Sequence, residues 1–218
     1  MRRIFAAAAA AVLAAALGLA GLRLAPATPT QAQIDAAVTR SGPSFERARR
    51  LPVAARYPRD LLWQSNLSLC GPASLANLLR SLDEPAATEA TVLAGTGLCR
   101  TGFCLLGLTL DELAAVARAR TRRPVRVLRD LTPEAFREAL RGANDPSRRI
   151  VVNFDRARIF GVGAGHHAPV GGYLEAEDLV LVLDVNRAYG PWLVERARLQ
   201  AAVDTRDGAR TRGLLVIE

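Results

Sequence analysis

Cys70 opens the segment Cys-Gly-Pro-Ala-Ser-Leu-Ala-Asn-Leu-Leu-Arg80, which reads as a helix. Pro72 suits a first turn because it brings no N–H and has a helical φ already set. Leu75, Leu78, Leu79 and Leu82 supply a stripe to bury. The dipole and free N–H groups at such a helix start stabilise a thiolate. Gly71 gives the backbone room, and the Cys70 amide can help hold an oxyanion. That nucleophile needs a base, and the chain has only 2 histidines. Both lie in Gly165-His-His-Ala-Pro-Val-Gly-Gly-Tyr173, at the head of an apolar strand. Neighbouring strand residues point to opposite faces, so one histidine is expected to meet Cys70 and the other to serve the structure. Asp184 ends the next apolar run. Burying its charge is costly unless it is paired, which favours it over Asp178 as the acid that orients the imidazole.

Six positions before the cysteine, Gln64 has the spacing at which papain-like cysteine proteases place an oxyanion-hole amide; the bland alternative is a solvent-facing loop Gln. The order Cys, His, Asp is also the papain-type order. Cys99 and Cys104 share one short Gly-containing segment. They are the natural disulfide pair in an oxidising compartment, worth about 2 kcal/mol by loop closure; two small buried hydrophobes are the alternative. Three Cys and two adjacent His make a poor zinc set, so no metal site is expected.

The elements that must position these groups are legible in outline. Thr109-Leu-Asp-Glu112 is a capping box opening a helix through Arg120, and Thr132-Pro133 opens another to about Leu140. Strands are expected at Val125–Leu128, Arg149–Phe154, Ala168–Leu174, Leu179–Val185 and Leu214–Ile217. Glu175–Asp178 is the polar turn of a hairpin. Helices first and neighbouring strands later is an α+β order.

Length and composition bound the remainder. The 218 residues allow one domain, and 50% hydrophobic with 23% charged fits a globular chain. Only 5% aromatic argues against base stacking. All basic residues are Arg, which weakens any reading of a single Arg as special. Arg2 and Arg3 followed by the apolar run Ile4–Leu22 have the layout of a secretory signal over residues 1–27; an uncleaved membrane anchor is the alternative. Setting Arg2, Arg3 and Arg23 aside lowers the +8 charge by three, to +5, which is no nucleic-acid footprint. Residues 28–60 read as a linker and arm, and residues 61–218 as the catalytic domain. The expected location is periplasmic or secreted, with inner-membrane anchoring as the alternative.

Taken together, Gln64-Ser-Asn-Leu-Ser-Leu-Cys-Gly-Pro-Ala-Ser-Leu-Ala, Val152-Asn-Phe154, Gly165-His-His-Ala-Pro-Val-Gly-Gly-Tyr173 and Leu183-Asp-Val-Asn-Arg187 resemble phytochelatin synthase, in family order over about Leu61 to Thr205. The resemblance implies a papain-like fold, with a cysteine-bearing helix packed on an antiparallel sheet that carries His and Asp. It implies cleavage of the Cys–Gly bond of glutathione through a γ-Glu-Cys acyl-enzyme. It assigns Cys70 as nucleophile, His166 (the residue after Gly165) as base and acid, Asp184 as orienting acid and Gln64 as oxyanion donor. Arg187, with Gly71 and Gly165, is assigned to substrate binding; a guanidinium can fork onto the γ-Glu carboxylate. No cofactor is implied; Cd or Zn enters only as thiolate complexes of the substrate. The chain ends at Glu218, so the Cys-rich C-terminal region of plant members is not expected, and hydrolysis is expected to outweigh transfer to a second glutathione. A papain-like peptidase on another peptide, and a non-catalytic binder of glutathione or metal thiolates, are the competing readings.

Overall fold

The structure is a computed structural model that describes residues 27–84 and 87–218; the Ile4–Leu22 run lies outside them. Among the described residues no helix is long and apolar enough to cross a membrane. Among the described residues, two short helices, α1 (Gln31–Ala37) and α2 (Pro43–Ala48), precede the cysteine helix α3 (Cys70–Ser81). Then follow α4 (Glu89–Leu93), α5 (Leu110–Arg118), β1 (Val125–Leu128), α6 (Pro133–Arg141), β2 (Arg149–Asp155) and α7 (Arg156–Phe160). β3 (Gly165–Leu174), β4 (Leu179–Leu183), β5 (Pro191–Glu195), α8 (Arg196–Val203), the small pair β6 (Arg206–Asp207) and β7 (Arg210–Thr211), and β8 (Gly213–Ile217) complete the described order.

Six strands form one sheet in the order β1-β8-β2-β3-β4-β5, with every neighbour antiparallel. The period-two alternation of side chains divides this sheet between two cores. Ile150, Val152, Val170, Val182 and Trp192 meet Phe136 and Leu140 of α6, Phe160 of α7 and Leu199 of α8. Val151, Leu215 and Ile217 face the other way, onto Leu75, Leu78 and Leu79 of α3 and Leu113 of α5. The segment before α3 covers that second face too, setting Val53, Tyr57 and Leu61 against Leu181, Leu183 and Leu193. The α+β architecture with the cysteine helix on an antiparallel sheet is therefore present.

Thr109 caps α5 through the reciprocal Thr109–Glu112 box, and Thr132 with Pro133 opens α6. The β3–β4 hairpin turns at Glu175–Asp178, where Asp178 takes a left-handed conformation at φ 53° and its carboxylate binds Tyr173 and Arg196. Two strand boundaries differ from expectation. β3 starts at Gly165, not Ala168, because His166 and His167 already pair with Phe154 and Asn153 of β2. β4 ends at Leu183, not Val185, because the Asp184 carboxylate turns back to accept the Asn186 N–H at 2.8 Å. β5 and the short helices α1, α2, α4, α7 and α8 have too few residues for a period to declare them.

Candidate active site

Cys70 begins α3, with its thiol buried against Ala73 and Val185. The first amides of the helix have no carbonyl of their own to bind, so they are free to hold an anion at the thiol. Across from it stands the head of β3. His166 Nε2 lies 2.9 Å from Asp184 Oδ1, which leaves its Nδ1 edge for the thiol, and the ring packs edge-on to Phe154 at 5.6 Å. Asp184 is fully buried and completely occupied. It accepts both contacts of the Arg156 Nη2 at 2.8 Å, the Asn186 amide, and the Trp192 indole N–H at 3.4 Å. Cys70 at the helix start is thus coupled electrostatically to His166, and His166 is bound to Asp184 at the end of the next strand.

The expectation that only one histidine meets the thiol is wrong. His167 Nδ1 stands 3.9 Å from Cys70 Sγ. The two rings do leave opposite faces of β3, as alternation requires, but Cys70 sits at the strand's end, where both faces are within reach.

The charges reinforce one another. Burial alone would raise the Cys70 thiol; the His166 imidazolium, its hydrogen bond and that of His167 overcome this and hold it well below the usual thiol range. Burial and the Arg156 cation work against a charged His166, yet Asp184 and the Cys70 thiolate outweigh them and raise its pKa. Burial opposes the Asp184 charge as well, but Arg156 and His166 keep it far below ordinary carboxylates. Sequence reasoning missed Arg156. An apolar strand followed by Asp155-Arg156 was the available signal, but a chain whose basic residues are all Arg offers no means of choosing one. The Arg156 guanidinium also lies 4.0 Å over the Tyr189 ring.

Gln64 reaches the same place. Its N–H donates to the Val185 carbonyl at 2.9 Å, tying it to the residue after Asp184. Its Nε2 donates to the Asn66 carbonyl at 2.9 Å, and an amide nitrogen carries a second hydrogen. Arg187 is exposed, with its guanidinium 5.6 Å from the Trp63 ring, one residue from Gln64. Gly71 is buried, and a Cβ there would lie 3.4 Å from Leu113 and 3.7 Å from His167 Nδ1, so its side faces the interior. Gly165 is exposed, and a Cβ would run into the Arg212 guanidinium, which binds Asn153 Oδ1 at 2.7 Å beside the histidines. Cys99 and Cys104 are disulfide-bonded, leaving Cys70 as the free cysteine.

A cysteine helix laid on an antiparallel sheet whose strand ends carry His and Asp is the arrangement of the papain-like fold. In agreement, the structure superposes on a C39-like peptidase from Bacillus anthracis with a TM-score of 0.52 and 12% identity, over 73% of this chain and 94% of that one. The family profile described as Phytochelatin synthase matches residues 31–214, and the chain belongs to that family. It is 32% identical over 117 residues to glutathione gamma-glutamylcysteinyltransferase 3 of Lotus japonicus, across 51% of this chain and 24% of the relative. It is 30% identical over 83 residues to glutathione gamma-glutamylcysteinyltransferase of Schizosaccharomyces pombe, across 37% of this chain and 20% of that protein. The aligned region is therefore a quarter or less of each relative's length.

Proposed function

We propose that the protein is a thiol enzyme that cleaves the Cys–Gly bond of glutathione through a γ-Glu-Cys thioester on Cys70, with water as the main acceptor. The observation that carries this is a His166 ring held by Asp184, itself closed by Arg156; the charge of that ring lowers the Cys70 thiol pKa. The Cys70 thiolate attacks the Cys–Gly carbonyl carbon, and the carbonyl electron pair moves to oxygen. The Cys70 amide and the second Nε2 hydrogen of Gln64 are the donors for that oxyanion. As the C–N bond breaks, the His166 imidazolium passes its proton to the departing glycine amine. Neutral His166 then takes a proton from water as it attacks the thioester, releasing γ-Glu-Cys and restoring the thiolate. An α-amino group of a second glutathione in place of water would give a longer γ-Glu-Cys peptide. All the acid–base and nucleophilic groups are side chains, so the reading calls for no cofactor.

Among the described residues Arg187 has no acidic partner, unlike Arg156 and Arg196. Stacked near Trp63 beside Gln64, it is the cation for the γ-Glu α-carboxylate. A longer peptide is the second reading. It is favoured by an open cleft of about 830 Å³ between Ser65, Leu69, Glu89 and Arg100, on the loop leading to Cys70. The leader-like N-terminus and the Cys99–Cys104 disulfide support export to the periplasm or beyond; fractionation of a tagged full chain tests it, and a cytoplasmic, reduced protein would refute it.

Mass spectrometry of products from reduced glutathione, with Cys70→Ala as control, tests the activity. Glycine plus γ-Glu-Cys is expected. γ-Glu-Cys oligomers as the main product would refute the hydrolytic emphasis, and absence of glycine would refute glutathione as substrate.

A further inference from the structure

We propose that His167 is a second, direct hydrogen-bond donor to the Cys70 thiolate, so that the nucleophile is held by one imidazole from each face of β3. The inference rests on the reading of Cys70 as nucleophile and adds a partner which that reading does not use. Three observations carry it. His167 Nδ1 is 3.9 Å from Sγ, within reach of a sulfur acceptor. The ring is 2% exposed, and its Nε2 is buried without a partner. The backbone is fixed from the cysteine's own helix, because Ser74 Oγ donates to the His167 carbonyl at 2.9 Å.

These facts choose the tautomer. A neutral imidazole carries one N–H. On Nε2 the hydrogen would meet nothing, and a buried unsatisfied donor is costly. On Nδ1 it meets the sulfur. Among the described residues the side-chain partner of the ring is the Cys70 sulfur. Around Gly71, where His167 Nδ1 stands, the other nearest side chains are the apolar Leu108 and Leu113. On β2 the paired residue is Asn153, whose amide is already taken by Asp207 and Arg212. The remaining charged groups, Asp184 and Arg156, belong to His166.

The two rings then have separate duties. His166 gives up and regains a proton in each half-reaction. His167 keeps its own and supports the thiolate before it attacks and again as it is expelled from the thioester, beside the His166 imidazolium. Burial by itself would penalise the thiolate, so a donor that does not cycle preserves the nucleophile.

The test is the rate of iodoacetamide alkylation of Cys70, the free cysteine, against pH in the folded full chain. Wild type should react with a midpoint below that of an ordinary thiol. His167→Leu should move the midpoint alkaline and slow alkylation on the acid limb by about tenfold or more, the scale of one hydrogen bond to a charged group. His167→Asn, whose Nδ2 takes the place of Nδ1, should recover most of that shift, which a merely space-filling role would not produce. His166→Ala should stop turnover yet keep a midpoint below an ordinary thiol. A wild-type midpoint reproduced by folded His167→Leu overturns the proposal while sparing Cys70 as nucleophile. Should His167→Leu fail to fold, a fully ordinary thiol in His166→Ala overturns it instead. An ordinary midpoint in wild type overturns both readings.

Discussion

Replacing Arg156 by Met exposes the electrostatic design of the site. The side chain keeps its length but loses the nitrogen that contacts both Asp184 oxygens at 2.8 Å. A unit charge pair at about 4 Å is worth about 4 kcal/mol at an effective dielectric near 20. Removing one partner of a buried pair typically costs about 3–5 kcal/mol, because the other charge stays behind. For a chain of this size that corresponds to a fall in Tm of roughly 6–20 °C. Part of the loss should return on acidification. Arg156 disfavours the His166 imidazolium, so without it the His166 pKa rises further and the imidazolium becomes the main counter-ion of Asp184. Stability from a raised histidine is present below its unfolded pKa and lost as pH rises through the folded one. The variant should therefore be most compromised on the alkaline side in thermal melts. Among molecules that remain folded, the alkaline limb of activity should move to higher pH. Because a single guanidinium nitrogen makes both contacts, Arg156→Lys should rescue more than it would at a two-nitrogen fork. An alkaline limb that stays in place or moves to lower pH in Arg156→Met would refute the reasoning, as would an unchanged Tm.

Wild-type kcat/KM should be bell-shaped. It should rise as Cys70 ionises below the usual thiol range and fall as His166 deprotonates above its usual range; a flat profile would contradict the ion pair. Arg187→Ala should raise KM for glutathione by roughly 10- to 100-fold, the worth of a charge-assisted bond, with a much smaller change in kcat. An unaffected KM would remove Arg187 from the substrate site. Cys99→Ser with Cys104→Ser should lower stability by about 2 kcal/mol in the chain-entropy model, read as a Tm drop. It should also loosen the loop before Cys70, since the Cys104 amide donates to Ser68 Oγ at 2.9 Å. A melt identical to wild type would show the disulfide to be idle.

The chemistry-bearing residues were more legible than their supports. Cys70, the His166–His167 pair and Asp184 stand out because the chain has two histidines and a carboxylate after an apolar run, a placement costly without a partner; the choice of His166 came from the family resemblance. The helices opened by Thr109 and Thr132 were readable from local capping, which acts within four residues. Arg156 and Trp192 were not, because their roles exist only once β2, β4 and β5 align and bring them to Asp184. The boundaries of β3 and β4 were misjudged for a related reason: there the polar residues follow the site's hydrogen bonds and not the hydrophobic alternation. The second histidine was misread because alternation fixes which face a side chain leaves, but not what waits at the strand's end. Gly165 shows the same limit, as its constraint comes from Arg212, far along the chain.

The most direct test of the account is intact-protein mass spectrometry of enzyme quenched in acid within the first turnovers with glutathione, followed by mapping of the Cys70 peptide. The account predicts a γ-Glu-Cys adduct on Cys70, formed together with glycine and absent in Cys70→Ala. Glycine released with no adduct on Cys70, or turnover that persists in Cys70→Ala, would contradict it.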